Sequence, residues 1–186
     1  MKGYIYTMFA GADPSRGWTL NDPIFGTAPT LGACVPHIRR AVSAGDHIFV
    51  ISGRVTGEKQ FVVGGFEVAE KIDALAAYRR FPERRLTQAS NGQVLGNVIV
   101  DRSGKHHPLD AHKNFRDRIE NYIVGKNPLV LETPVQFRAA KEQTVDALSE
   151  IFDREGSRVF DIIGRYRKMN ESQIEQMRAW LKSLSE

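Results

Sequence analysis

Thr30-Leu31-Gly32-Ala33-Cys34-Val35-Pro36-His37-Ile38-Arg39-Arg40-Ala41-Val42-Ser43-Ala44-Gly45-Asp46 runs directly into two apolar stretches, residues 47–52 and 61–68. Thr30 reads as a helix cap for a segment reaching Val42. Pro36 costs least in a first turn, so a start near Val35 is the other reading. Gly45-Asp46 is then a turn, and the apolar runs are strands joined by the polar loop 53–59. Gly64-Gly65 inside the second strand predicts a bulge or a close backbone approach.

Working toward the N-terminus, residues 4–9 are aromatic and β-branched and read as a first strand. Residues 11–29 hold Gly, Pro, Asp and Asn throughout, and a loop that long within a domain is usually functional. Its large apolar groups, Trp18 and Phe25, either pin it to the core or line a pocket. Toward the C-terminus the pattern predicts a helix over 72–78, a turn around Pro82, a strand over 94–100 and a turn at 101–104. A helical turn over 115–122 and a strand over 128–132 follow. From Thr133 the apolar period becomes helical. Three helices are expected, with Gly156 and Gly164 as stops, Ser157 and Asn170 as caps, and Gln173 placed for a capping box.

A chain of 186 residues with 41% hydrophobic and 26% charged residues is an ordinary globular composition. One cysteine excludes an internal disulfide framework and fits a reducing cytoplasm. The N-terminal apolar stretch is too short for a signal peptide, and no run approaches the ~20 apolar residues of a membrane span. Net charge is +4, compatible with a polyanion. The arginines come in pairs at Arg39-Arg40, Arg79-Arg80 and Arg84-Arg85.

Several groups carry chemistry. On a helix Arg39 and Arg40 point about 100° apart; one guanidinium aimed at a cleft grips a phosphate through two donors, and the alternative is a surface pair. Cys34 is a nucleophile if a helix N-terminus or an imidazolium depresses its pKa, with His37 three residues on sharing its face; otherwise it is a small buried apolar group. His106-His107-Pro108-Leu109-Asp110-Ala111-His112 packs three imidazoles and a carboxylate into seven residues. Its spacing matches no zinc signature, so no metal and no cofactor is assigned, and a polar pocket wall or a structural turn is expected. Trp18 is the best stacking group among aromatics that otherwise fit a core. Ser52 and Asn97 are small polar groups suited to a base edge. The C-terminal cations Arg158, Arg165, Arg167 and Lys168 fit either a helix-turn-helix-like reader or a helical buttress. The chain shows neither a P-loop nor a GxGxxG fingerprint.

Taken together, the 30–46 segment, Ile48-Phe49-Val50-Ile51-Ser52-Gly53, Phe61-Val62-Val63-Gly64-Gly65-Phe66-Glu67-Val68 and Gly96-Asn97-Val98-Ile99-Val100 with His106-His107-Pro108-Leu109-Asp110 resemble the nucleotide modification associated domain proteins of bacteria and phages. The likeness runs over most of the chain. It implies a setting of modified DNA bases, phage defence or nucleotide metabolism. A looser similarity is to PUA-like barrels of the EVE, ASCH and YTH groups, which take a flipped base into an aromatic cage. This chain departs from them in showing no pair of cage tryptophans.

The expectation is an α+β fold: a PUA-like, mostly antiparallel barrel or sheet with short helices over residues 1–132, and a helical extension over 133–186 packed on it. Its function is to bind a nucleotide or modified base, DNA more than RNA, in the cytoplasm, with no membrane partner and with a homo-oligomer as a further partner. The ligand set is Trp18, Phe25, Thr30, His37, Arg39, Arg40, Ser52, Asn97, His107 and Asp110. Two alternatives stand beside it. One is an enzyme acting on a nucleotide or base with His107 and Asp110 moving protons and Cys34 as nucleophile. The other is a scaffold that assembles through the helical tail.

Overall fold

The structure, a computed structural model, describes residues 1–184; the last two positions of the expected 133–186 segment lie outside it. The fold is α+β. Strands β1 (Gly3–Thr7), β2 (Thr30–Leu31), β3 (His47–Ile51), β4 (Val62–Ile72), β7 (Tyr122–Val130) and β8 (Tyr166–Met169) form one mixed sheet in the order β2-β7-β4-β3-β1-β8. Strands β5 (Thr87–Gln88) and β6 (Val94–Leu95) form a separate hairpin. The helices are α1 (Pro36–Ala41), α2 (Ala74–Arg80), α3 (Pro134–Phe152), α4 (Val159–Ile163) and α5 (Glu171–Ser183). Among the described residues neither sheet closes on itself, and no helix is long and apolar enough to cross a membrane.

The chain divides into two compact units. The first comprises Met1–Thr19, Gly45–Glu67 and Pro128–Glu186; the second comprises Leu20–Ala44 and Val68–Asn127.

In the first unit every residue of β3 is buried, which is why residues 47–52 read as an unbroken apolar run rather than an alternating one. β3 pairs with β1 in parallel and with β4 in antiparallel register. A parallel neighbour cannot be reached through a hairpin, and the chain takes residues 8–46 to return. The register slips between Val50 and Ile51, the bulge that Gly64-Gly65 predicts. A Cβ on Gly64 would lie 2.4 Å from the Leu129 carbonyl oxygen, so the close approach is real as well. Helix α3 begins with a full capping box between Thr133 and Gln136, and α5 with another between Asn170 and Gln173. α3 packs against α4 and α5, burying Leu148, Ile162, Ile174, Met177 and Leu181.

Between α4 and α5 lies β8, antiparallel to β1, which the sequence reading leaves out. Tyr166-Arg167-Lys168 is polar because β8 is an edge strand, and edge strands carry cations that block further pairing. Arg167 donates to the Ile162 carbonyl at 3.0 Å and lies over the Phe152 ring. A helix-turn-helix-like reader built on Arg167 and Lys168 is therefore corrected: these residues sit in a strand. Asp153, with φ +47°, ends α3 ahead of Gly156, and Arg158 rather than Ser157 caps α4.

Three further expectations change, two in the second unit and one across residues 122–132. Thr30 caps no helix; it lies in β2 opposite Val124 of β7, and α1 starts at Pro36. The strand expected over 94–100 shrinks to β6 with single bridges at Val98 and Val100. The strand expected over 128–132 begins earlier, as β7 from Tyr122. Two small cores hold this unit: Ala74, Ala77, Phe81, Val98, Val100, Tyr122 and Val124, then Ala33, Leu86 and Ile99.

Candidate functional site

Cys34 stands on a four-residue turn between β2 and α1. One carboxylate shapes that turn. Asp22 accepts the Gly32 N–H at 2.6 Å and the Ala33 N–H at 2.9 Å, and it also accepts the Cys34 N–H. Its Oδ1 takes a further bond, 3.0 Å, from the Asn97 amide. Three successive main-chain donors converging on one anion fix the backbone tightly. A Cβ on Gly32 would lie 2.2 Å from the Asn97 carbonyl oxygen, so only glycine fits there. Val35, next after Cys34, has φ +42° and ψ +56°. That left-handed conformation is rare for a β-branched residue and costs about 1–3 kcal/mol, which the surrounding bonds must offset.

Arg39 clamps the same turn from below. Its side chain is fully buried. Nε donates to the Cys34 carbonyl at 2.8 Å, Nη1 to those of Asn121 (2.6 Å) and Arg118 (3.1 Å), and Nη2 to those of Ala33 (3.2 Å) and Arg118 (3.1 Å). A guanidinium has five N–H donors, and here all five are directed at main-chain carbonyls. This corrects the expectation that Arg39 grips a phosphate. Arg118 adds a bond of 2.5 Å to the Ala33 carbonyl.

The histidine-rich turn meets this element. Cys34 Sγ and His112 Nε2 are 4.0 Å apart. His112 Nδ1 lies 2.6 Å from Asp110 Oδ1, and His106 Nε2 lies 2.7 Å from Asp110 Oδ2. The Asp110 side chain is only 4% exposed. Burial alone would raise its pKa, but the hydrogen bonds from His112 and His106 outweigh it and hold the carboxyl below its usual value. An ionised carboxylate only accepts, so His112 Nδ1 donates to Asp110, and Nε2 is the ring atom that faces the sulfur. The His106 ring stacks on Phe115 with centroids 4.4 Å apart. Burial pushes the Cys34 thiol far above its ordinary pKa, the Asp22 carboxylate adds to this, and Arg118 and Arg39 oppose it. The resting sulfur is therefore a thiol, with an imidazole nitrogen beside it.

The remaining candidates take other places. Asn97 is buried; its amide serves Asp22 and Thr30, and its carbonyl accepts the Tyr122 hydroxyl at 2.7 Å. Thr30 Oγ1 accepts from Asn97 at 3.0 Å. Ser52, in the first unit, is buried and accepts the Phe61 N–H at 3.1 Å. Ser52, Thr30 and Asn97 are thus internal braces. Trp18 also belongs to the first unit, edge-on to Phe9 at 5.4 Å. Phe25 is half-buried; His37 and Arg40 are exposed. Burial and the Arg40 charge lower the His37 pKa. His107 stabilises its own turn: Nδ1 accepts the Leu109 N–H and its N–H donates to Ile99. The imidazole beside Cys34 is His112.

Asp22 and His112 are the two residues that the sequence reading passed over. His112 lies within the quoted motif, and only the fold distinguishes it from His107. Asp22 sits in the loop 11–29, where nothing in the local pattern shows that it caps a turn ten residues away. No protein-family model matches the chain, and no curated protein is similar to it.

Proposed function

We propose that the second unit binds a nucleotide or a modified base, in DNA by preference, and that the α+β fold over residues 1–132 is of the PUA-like kind. The supporting observation is how charge is divided. The second unit has 13 Lys and Arg against 8 Asp and Glu, net +5, whereas the first has 13 against 14, net −1. The excess thus falls in the unit that holds the Cys34 and His112 cluster. Electrostatic attraction to phosphate is the largest sequence-independent contribution to nucleic-acid affinity. With Arg39, Ser52, Thr30 and Asn97 taken up internally, the proposed ligand set becomes Phe25, His37, Arg40, His106 and His112, with the exposed Lys113 and Arg116 one and four residues after the last. Phosphate goes to Arg40, Lys113 and Arg116, and a base stacks on Phe25 or an imidazole. DNA as the polymer comes from the sequence likeness alone.

The test is fluorescence anisotropy of a labelled single-stranded DNA oligonucleotide titrated with the protein at 50–200 mM salt. We expect binding that weakens linearly in log salt. Arg40→Ala and Arg116→Ala should each reduce the slope by about one. Affinity that ignores salt, or slopes unchanged in both variants, refutes the proposal.

A further inference from the structure

Cys34, His112 and Asp110 come from two stretches 76 residues apart in the chain and line up as thiol, imidazole and carboxylate. The thiol is held on a turn locked by Asp22 and Arg39, the carboxylate is nearly buried, and the imidazole is anchored to it through Nδ1. That order of groups is the one a base-activated nucleophile needs: a nucleophile beside a base, and a base oriented by a third group. In proteins without substrate the first link is commonly longer than a full hydrogen bond, and 4.0 Å fits that state.

We propose that Cys34 is a nucleophile, that His112 is the base taking its proton, and that Asp110 is a positioning residue holding the imidazole. Resting on the nucleotide reading, the substrate is a base carrying an electrophilic ring carbon conjugated to a carbonyl oxygen or ring nitrogen. The sulfur electron pair forms an S–C bond to that carbon. The ring π pair moves onto the conjugated oxygen or nitrogen. The thiol proton passes to His112 Nε2 and from there to the atom that received the electrons, so no co-reactant is needed. The proton leaves the sulfur as the S–C bond forms, so no standing thiolate is required. His106, bonded to the other oxygen of Asp110, shares its charge.

The chain has one cysteine, so intact-mass measurement of iodoacetamide alkylation reads Cys34 alone. There the S–C bond forms, iodide leaves and the proton goes to His112. We expect His112→Ala and His112→Gln to slow alkylation of the folded protein at least tenfold without lowering the melting temperature comparably, and added imidazole to restore the rate in the alanine variant. Asp110→Asn should slow it and Asp110→Glu should recover most of the rate, which a purely structural carboxylate would not produce. Thymidine 5′-monophosphate or a short DNA oligonucleotide should protect Cys34. A wild-type rate in both His112 variants overturns the nucleophile assignment, as does a wild-type thiol that reacts only in denaturant. If alkylation depends on His112 but neither nucleotide nor oligonucleotide protects, the substrate class is wrong and the nucleophile stands. Protection without His112 dependence leaves binding and removes the nucleophile.

Discussion

Replacing Arg39 by methionine tests the central piece of internal architecture. Methionine fills similar length but has no donor. Four carbonyl oxygens, those of Ala33, Cys34, Arg118 and Asn121, then lose the guanidinium, and Ala33 alone keeps another cation, Arg118 at 2.5 Å. A buried polar group left unpaired costs about 1–3 kcal/mol, so three of them cost about 3–9 kcal/mol gross. The desolvation cost of the buried cation disappears with it, which leaves about 3–5 kcal/mol net. At a urea dependence of about 2 kcal/mol per molar, the unfolding midpoint should fall by about 2 M, and the melting temperature by roughly 10 °C. Arg39→Lys keeps the charge but offers three donors in place of five and no planar fork, so about half the loss is expected. Urea unfolding followed by circular dichroism measures both. A midpoint within ~0.5 M of wild type for Arg39→Met, with the slope unchanged, refutes the clamp.

Asp22→Ala should remove about 3 kcal/mol, because three main-chain N–H groups and the Asn97 amide lose one charged acceptor. Hydrogen exchange should speed up at Gly32, Ala33 and Cys34 while the amides of β3 stay protected, and equal protection at the turn would contradict the assignment. Gly64→Ala places a Cβ 2.4 Å from the Leu129 carbonyl and 2.8 Å from the Val130 Cα, both backbone atoms that cannot rotate away. A loss above about 3 kcal/mol is expected in denaturant titration, and near-wild-type stability would show that the strands separate freely there. Asp110 has a folded pKa below its unfolded one. Its contribution to stability is therefore full above the ordinary carboxylate value near ~3.9 and is lost as pH falls through the lower folded value. The melting temperature should drop below about pH 4, and Asp110→Asn should flatten part of that drop; an identical acid profile in the variant removes this linkage.

Local readings succeeded where a signal is carried within one turn or one strand. Thr133 with Gln136 and Asn170 with Gln173 are written four residues at a time, and both capping boxes form. The apolar run within 47–52 marks a strand, and β3 forms there. β8 stayed hidden because an edge strand has little apolar pattern, and β6 stayed short because residues 97–100 are buried without continuous pairing. At the site the sequence supplied the reagents but not their partners. Cys34, His112 and Asp110 are all in view, yet the reading takes His107 in place of His112 and treats Arg39 as the equal of Arg40.

Composition, charge, the two capping boxes and the α+β class follow from short-range chemistry, so the sequence by itself determined them. The tertiary structure alone decided that β1 and β3 run parallel, that Asp22 gathers the amides of the Cys34 turn, and that His112 reaches the sulfur while Arg39 turns inward. The reason is physical: a hydrogen bond or a buried charge is satisfied by whichever group the chain brings within about 3 Å, and these partners lie from 5 to 82 residues apart.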